Sequence, residues 1–283
     1  MLRIAIQAKG RLNEESIHLL AEAGITVEEG KRKLLTRSDD FAIEVLYLRD
    51  DDIPQAVAMG VADLGIVGLN EVEEKEEKVE IIHKLGFGKC RLSIAVPKAE
   101  NYDSVQWLEG RRIATSYPVI LKKYLDQQKV NAEIHEIAGS VEIAPVVGMA
   151  DAIFDIVSSG ATLITNGLQE VDKVLKSEAV MIATPQLEEE KKKLLAQLMF
   201  RIESVERSRG MKYVLMNLPN DKIDQATAVL PGMKSPTLLP LTLEGWSSLH
   251  VVINEKELWG KIEQLKALGA EDILVLALEK MIL

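Results

Sequence analysis

The stretch DAIFDIVSSGATL, residues 151–163, predicts a buried strand, a turn of small residues and the start of a helix. The N-terminus of a helix presents free backbone N–H groups and the positive end of the helix dipole, so the turn at 158–162 is suited to an anion such as a phosphate. Asp151 and Asp155 are four residues apart and would share one face of an extended strand. Carboxylates there could hold sugar hydroxyls or a metal ion. The pattern as a whole describes a ribose 5-phosphate.

The same stretch also has an ordinary structural interpretation. Asp151 could simply follow a turn, Asp155 could lie on a solvated strand face, and Ser159 or Thr162 could cap a helix. A single turn of small residues does not decide between these two interpretations. The rest of the chain has to do so.

Composition limits the function classes. A chain of 283 residues predicts two or three domains. A net charge of -10 and an aromatic content of 4% argue against nucleic acid or an anionic membrane as partner. The single cysteine, Cys90, allows no internal disulfide. Because the chain starts on a strand-like segment without a signal peptide and has no membrane-spanning apolar run, we expect a cytoplasmic protein.

Strands and helices alternate twice before residue 188, which predicts two α/β lobes with a cleft between them. Lys9-Gly10-Arg11 and Arg49 stand where a predicted strand gives way to a helix, the place where α/β sheets bind ligands. Ordinary surface charges are the alternative interpretation of these cations. We also expect a helix through residues 139–145 and a solvated helix without chemistry at residues 71–80.

The C-terminal part has a different rhythm. A charged helix near residues 188–206, expected to pack on the first lobe, precedes segments that spell βαββαβ, the ferredoxin-like arrangement. Small domains of this kind often bind an amino acid or pair with a copy of themselves. By fold analogy alone, this part is predicted to be regulatory.

Seven segments, in order along the chain, resemble the ATP phosphoribosyltransferase family in its long, self-regulated form. They are MLRIAIQAKGRL, LRDDDIPQAVAMGVADLGIVG, CRLSIAVP, RRIATSYP, GSVEIAP, ADAIFDIVSSGATL and LKALGAEDILVLALEKM. The resemblance implies an α/β fold, with a two-lobed catalytic core like the type II periplasmic binding proteins and a C-terminal ferredoxin-like, ACT-like domain. The implied boundaries are 1–85 with 176–206 for lobe I, 86–175 for lobe II and 207–283 for the regulatory domain.

The resemblance further implies the first step of histidine biosynthesis. ATP and 5-phosphoribosyl 1-diphosphate would give N1-(5-phosphoribosyl)-ATP and diphosphate, with Mg2+ required and its direct ligands unassigned. L-histidine would be a feedback inhibitor, and the chain would form a homo-oligomer of dimers that assemble into a hexamer. No separate regulatory subunit would be needed.

Site residues follow from the same resemblance. Phosphoribosyl diphosphate would contact Asp151, Asp155, Ser158, Ser159, Gly160, Ala161 and Thr162. ATP or the diphosphate would contact Lys9, Gly10, Arg11, Arg49, Tyr117 and Glu142. Arg49, Asp151 and Asp155 would be catalytic. Histidine would bind at Asn217, Met233, Ser235, Thr237 and Asp272.

Phe154 departs from the general phosphoribosyltransferase loop, in which two acids stand side by side. The separate roles of Asp151 and Asp155 are therefore open.

Two rival functions fit the sequence less well. A prephenate dehydratase should carry a late Thr-Arg-Asp motif, but the one Thr-Arg pair is Thr36-Arg37, followed by Ser38. A two-lobed binding or sensor module without catalysis would leave the phosphate turn unexplained.

Overall fold

Parallel strands joined by helices form the frame of this protein, seen in a computed structural model that describes residues 1–27 and 34–283. The chain divides into two compact units. One comprises Met1–Ala21 and Ile25–Leu195, and the other comprises Glu22–Gly24 and Ala196–Leu283. Among the described residues, no helix has the length and apolar character needed to cross a membrane.

The first sheet of the larger unit has six strands in the order β2-β3-β1-β4-β11-β5. The central strand β1 pairs in parallel with β3 and β4, and β11 returns antiparallel to β4. Helices α1, α2 and α3 lie between these strands along the chain. The elements are β1 (Leu2–Gln7), α1 (Arg11–Glu22), β2 (Leu35–Arg37), β3 (Ile43–Leu48), α2 (Ile53–Ala58), β4 (Leu64–Gly68), α3 (Leu69–Lys75), β5 (Glu80–Lys84) and β11 (Ala179–Ala183).

The second sheet has five strands in the order β10-β6-β9-β7-β8. β7 pairs in parallel with both β8 and β9, whereas β6 runs antiparallel to β9 and to β10. Phe154 is fully buried in its core, so an aromatic side chain here supports packing rather than chemistry. The elements are β6 (Cys90–Pro97), β7 (Arg112–Thr115), α4 (Pro118–Gln128), β8 (Glu133–Glu136), β9 (Ala152–Val157), α5 (Ala161–Thr165) and β10 (Leu168–Ser177).

Two local expectations were wrong, and one strand was missed. The segment 139–145 forms only a single 3-10 turn at Val141–Ile143. The acidic segment 71–80 is helical only to Lys75, and its last residue, Glu80, begins strand β5. β10 was not expected at all, because two register shifts against β6 disturb the alternation of apolar and polar residues that identifies a strand.

The smaller unit confirms the predicted βαββαβ order. Its four-stranded sheet has the order β13-β14-β12-β15, with every neighbouring pair antiparallel. Both helices of the motif contribute to one apolar core that includes Ala226 and Leu258. The elements are β12 (Met211–Pro219), α7 (Ile223–Val229), β13 (Thr237–Pro240), β14 (Trp246–Asn254), α8 (Glu255–Ala267) and β15 (Glu271–Ala277), and they follow α6 (Glu189–Ser208) along the chain.

The domain boundaries expected from sequence stay predictions. In the structure, the sheets change near the same residues, since β1–β5 and β11 build the first sheet and β6–β10 the second. The division between compact units falls inside α6, at Leu195/Ala196, rather than after its end. Lys191, in the first turns of α6, donates at 2.8 Å to Asp63, the residue that precedes β4 of the first sheet.

Gly65 in β4 allows α2 and β11 to approach the centre of the first sheet. A Cβ at this position would lie 2.7 Å from Ile53 Cγ2 and 3.0 Å from Ile182 Cγ1. We predict that Gly65→Ala lowers the free energy of unfolding by about 1–3 kcal/mol, because the packed neighbours must shift. Urea denaturation measures this change. Gly139→Ala is the control, since its Cβ meets open space, and equal stability of both variants would contradict the packing argument.

Candidate active site

The carboxyl ends of the parallel strands in both sheets border one cleft of about 290 Å3. This is where α/β sheets bind ligands. The chain passes between the sheets beside this cleft, from β5 to β6 and again from β10 to β11. The cleft is lined by Gln7, Arg11, Leu12, Glu15, Asp50, Gly68, Asn70, Glu71, Gly88, Lys89, Cys90, Ile156 and Ser158.

The predicted basic segment after β1 contributes one cation to the cleft lining. Arg11, the first residue of α1, lines the cleft, whereas Lys9 and Gly10 form the exposed turn before it. Gly10 has a φ of +97°, a backbone conformation that favours glycine. The turn is fastened by Asn13, whose side chain donates to the carbonyl of Gln7 at 2.6 Å.

Arg49 directly follows β3, beside the carboxyl end of β1. Its side chain is 78% exposed, and its guanidinium pairs with Asp51, two residues along the chain, at 3.1 Å. An exposed pair of this kind contributes little to stability. Arg49 is therefore available for an anionic ligand, while its neighbour Asp50 lines the cleft and accepts a hydrogen bond from Gln7.

The predicted phosphate turn has the expected strand–turn–helix structure. β9 ends at Val157, Ser158 lines the cleft, and Gly160 stands at the N-terminus of α5 with a φ of +83°. The Ser159 hydroxyl accepts the N–H of Ala161 at 3.3 Å. Ser159, Ala161 and Thr162 are exposed, so their polar groups can be reached by a ligand.

The two predicted aspartates occupy different places. Asp151 precedes β9 and lies about 23 Å from Ser158 along the strand, at a rise of roughly 3.3 Å per residue. Arg112 holds it through Nη2 to Oδ1 at 2.9 Å and Nε to Oδ2 at 3.2 Å, and this contact lowers the pKa of Asp151 below its usual value. The structure therefore does not bring Asp151 to the phosphate turn. The sequence alone does not reveal that Asp151 pairs with Arg112.

Asp155 lies within β9, near the phosphate turn. Burial raises the pKa of its carboxyl, and the negative charge of Glu142 adds to that effect. Oδ1 accepts the backbone N–H of Ile156 at 2.8 Å. Glu142 belongs to the 3-10 turn at Val141–Ile143, so the predicted residues Asp155 and Glu142 are close enough to interact electrostatically.

Glu71 is the functional candidate that the sequence reasoning missed. The sequence pattern predicts a solvated helix here, yet Glu71 is only 5% exposed and lines the cleft. Tyr117 donates to its Oε1 at 2.9 Å, and so does the Asn70 amide, also at 2.9 Å. Burial raises the pKa of Glu71 to about 7, opposed by the hydrogen bond from Tyr117. No local signal distinguishes this glutamate from the exposed Glu73.

Tyr117, predicted as a cleft residue, connects the two sheets from the other side. It is 8% exposed, and both burial and the adjacent Glu71 raise the pKa of its hydroxyl well above the usual range. Asn70 completes the network, because its side-chain carbonyl accepts from the Ser177 hydroxyl at 2.7 Å. This buried network joins α3, the N-cap residue of α4 and β10.

Glu74 makes a second connection between the sheets. Its two carboxylate oxygens accept the backbone N–H groups of Val119 and Ile120 at 2.9 and 3.0 Å. These N–H groups belong to the first turn of α4, whose own N-cap residue forms no side-chain cap. A carboxylate on α3 thus caps a helix of the other sheet. Burial raises the pKa of Glu74, partly offset by these two hydrogen bonds.

Cys90 lines the cleft without the environment of a nucleophile. Burial raises the pKa of its thiol, so the reactive thiolate is disfavoured. Among residues 1–27 and 34–283, no group of three or more His, Cys, Asp or Glu side chains is placed to hold a metal ion.

The residues predicted to bind histidine fall into two groups in the smaller unit. The Asn217 side chain, on β12, donates at 3.1 Å to Asp272, the second residue of β15. Thr237 begins the edge strand β13, two strands away from β12, and Met233 and Ser235 lie in the exposed segment before it. At about 4.8 Å per strand, the sheet alone separates the two groups by roughly 10 Å.

Residues 49–204, more than half of the chain, match the family model HisG, described as ATP phosphoribosyltransferase. The chain belongs to the ATP phosphoribosyltransferase family. Residues 208–280 match the C-terminal domain of the same family. Members of this family are transferases that act at the first step of histidine biosynthesis, and this chain is such an enzyme.

Relatives match the whole chain. An ATP phosphoribosyltransferase of Bacteroides thetaiotaomicron is 60% identical over 282 residues, and one of Phocaeicola vulgatus is 59% identical over 283 residues, with 100% of each chain covered. An ATP phosphoribosyltransferase of Cytophaga hutchinsonii is 54% identical, covering 100% of this chain and 99% of its own length.

Solved structures confirm the two-lobed fold of the ATP phosphoribosyltransferase core. The HisG:HisZ complex from Thermotoga maritima superposes with a TM-score of 0.62 at 29% identity, covering 72% of this chain and 99% of that one. A histidine kinase sensor domain similar to periplasmic binding proteins gives a TM-score of 0.51 at 11% identity, covering 74% and 91%. The second likeness shows the fold alone.

The raised pKa of Glu71 predicts a pH-dependent stability in this transferase. Below pH 4.5, the ordinary value, folded and unfolded states both carry the proton. Between about 4.5 and about 7 the unfolded state loses it first, so the free energy of unfolding falls with rising pH, by as much as about 3 kcal/mol. Glu71→Gln removes the titration and should be the more stable protein at pH 8.

Urea denaturation from pH 5 to pH 8 measures this difference. Glu73→Gln is the matched control, because Glu73 is an exposed glutamate on the same helix. The burial argument fails if Glu71→Gln and Glu73→Gln give the same dependence on pH.

Proposed function

We propose that the cleft binds 5-phosphoribosyl 1-diphosphate with its 5-phosphate on residues 158–162 and ATP on the side of the first sheet. The observation that carries this proposal is the position of the phosphate turn at the carboxyl end of β9, on the same cleft as Arg11. Backbone N–H groups and hydroxyls suit a phosphate monoester. Arg11 and Arg49 supply cations for the diphosphate or the triphosphate.

The reaction needs little acid–base chemistry. Adenine N1 attacks C1 of the ribose with a lone pair that carries no proton, and the bond from C1 to the diphosphate oxygen breaks. The protein has to align N1 with C1 and stabilise charge, and such alignment can supply about 7–11 kcal/mol of the barrier. Asp155 would support the positive character that grows on the sugar, while the arginines would stabilise the departing diphosphate.

The protonation of Glu71 matters to polyanionic substrates. With a pKa of about 7, this carboxyl is neutral in a large fraction of molecules near neutral pH. A neutral carboxyl repels phosphate less than a carboxylate does and still accepts the hydrogen bond from Tyr117. We propose that Glu71 and Tyr117 shape the nucleotide side of the cleft and do not transfer protons.

A metal ion is implied by the family, and we propose that it is Mg2+. The residues present fit it, because Asp155 and Glu142 offer oxygen ligands, and burial together with the charge of Glu142 raises the pKa of Asp155 where no cation is bound. Asp155 and Glu142 would hold the ion together with substrate oxygens. Bound there, Mg2+ would neutralise charge on the diphosphate.

The activity is tested by mixing the purified chain with ATP, phosphoribosyl diphosphate and Mg2+. Formation of N1-substituted adenine changes the ultraviolet absorbance, and diphosphate is released in equal amount. We expect both signals from this chain alone, without an added regulatory subunit. Ligand binding with neither product would favour a binding or sensor module instead.

Arg49→Ala should lower kcat about tenfold or more, because one charge-assisted contact to the diphosphate is worth about 1.5–3 kcal/mol. Its thermal midpoint should not change, since the Arg49 side chain is 78% exposed. Arg37→Ala is the control, with a side chain 69% exposed and paired to Glu44. Wild-type kcat in Arg49→Ala would remove Arg49 from the mechanism.

We further propose that the smaller unit binds L-histidine as feedback inhibitor and that the enzyme acts as a homo-oligomer of dimers and hexamers. Two separated groups of candidate residues would then be supplied by more than one chain. No separate regulatory subunit would be needed, since residues 208–280 carry the family's C-terminal domain in the same chain. The substrates and the single cysteine suit a cytoplasmic enzyme.

Ser235 gives a direct test of the inhibitor site. Its hydroxyl is exposed and donates to the carbonyl of Pro236 at 3.1 Å. Ser235→Ala should raise the histidine concentration for half-inhibition about fivefold, the loss expected for one hydrogen bond of about 1 kcal/mol. Thr242 is also exposed in the smaller unit. As the control, Thr242→Ala should be inhibited by histidine at the same concentration as the wild type. Unchanged inhibition of Ser235→Ala would exclude Ser235 from the site.

A further inference from the structure

Arg91, the second residue of β6, holds the start of the phosphate turn. Its Nη1 donates to the carbonyl oxygen of Ser158 at 2.9 Å. Its Nη2 and Nε donate to the two carboxylate oxygens of Glu170 on the neighbouring strand β10, Nη2 at 2.6 Å. All three nitrogens of the guanidinium are therefore engaged, and the side chain is only 25% exposed.

Glu170 is itself held in place. The Ser93 hydroxyl donates to its Oε1 at 2.7 Å, from the same strand as Arg91. A guanidinium bound by both oxygens of a carboxylate has a fixed plane as well as a fixed position. Ser93, Glu170 and Arg91 thus form a rigid group, which we call the β6–β10 clamp.

The clamp controls the orientation of a peptide plane. In a trans peptide the carbonyl and the following N–H point in opposite directions, and none of the described peptide bonds is cis. Holding the Ser158 carbonyl toward Arg91 therefore fixes the direction of the Ser159 N–H. That N–H belongs to the turn proposed to bind the 5-phosphate, so preorganising it removes an entropic cost of binding.

We propose that Arg91 is a positioning residue for the phosphoribosyl donor, acting through the Ser158 carbonyl and oriented by Glu170 and Ser93. Arg91 makes no contact with the reacting atoms in this scheme. The inference rests on the proposed function of residues 158–162 as the phosphate turn. Its ligand class is a sugar 5-phosphate, and ATP binding should be insensitive to it.

The chain offers a close control at the opposite end of β9. Arg112 binds both oxygens of Asp151, and its Nη1 donates to the carbonyl of Gly148 at 3.0 Å. The chemistry matches that of the β6–β10 clamp, but it lies far from the phosphate turn. Loss of Arg112 therefore reports what losing a bidentate arginine costs the fold alone.

The experiment compares steady-state kinetics of Arg91→Gln, Glu170→Gln and Arg112→Gln with the wild type. Arg91→Gln should raise KM for phosphoribosyl diphosphate about 10- to 100-fold, corresponding to one charge-assisted hydrogen bond. KM for ATP should stay within about twofold. Glu170→Gln should move the same constant in the same direction, and Arg112→Gln should move neither KM. Calorimetry with ribose 5-phosphate should show the same ranking without turnover.

Unchanged KM for phosphoribosyl diphosphate in Arg91→Gln would overturn the inference, as would an equal rise in Arg112→Gln. If Arg91→Gln fails to fold, Arg91→Lys keeps the charge without the fork and should give the same selective rise. A wild type without transferase activity would instead refute the proposed function, so the two failures are distinguishable.

Discussion

The contact of helix α3 with the second sheet is the constraint on which the cleft depends. Glu74 satisfies two N–H groups at the start of α4 that would otherwise lack partners, and Glu71 accepts from Tyr117 in the buried space beside them. Lys123 adds a surface pair with Glu76 at 2.8 Å. Because buried polar groups are costly without partners, these contacts favour one arrangement of the two sheets. The width of the cleft follows from that arrangement.

Local sequence patterns predicted much of the fold correctly. Residues 151–163 predicted their strand, turn and helix, and the C-terminal segments predicted βαββαβ, because both depend on short-range periodicity and turn chemistry. What failed depends on distant partners. Glu71 and Glu74 look like solvated helix charges until Tyr117 and the N-terminus of α4 meet them, more than forty residues along the chain. The pairing of Asp151 with Arg112, 39 residues away, is hidden in the sequence for the same reason.

Charge explains how an acidic protein can handle two polyanions. The net charge of -10 is a property of the whole chain. In the cleft, Arg11 and Lys89 stand beside the carboxylates of Glu15 and Asp50. A third carboxyl there, Glu71, has a pKa raised to about 7 by burial. Several carboxylates elsewhere are neutralised by pairing, as with Glu170 and Arg91. Selective pairing and burial therefore produce a local balance that the composition does not show.

Guanidinium groups fix the backbone at both ends of β9, so the length of this strand sets the distance between the two fixed points. Arg112 fixes the backbone before it at Gly148, and Arg91 fixes the backbone after it at Ser158. The span between them is set by six strand residues in register with β6 and β7. An inserted or deleted residue would turn Asp155 to the opposite face and displace the turn by one step. The length of β9 thus sets where the proposed phosphate turn lies, even for those β9 side chains that are buried in the core.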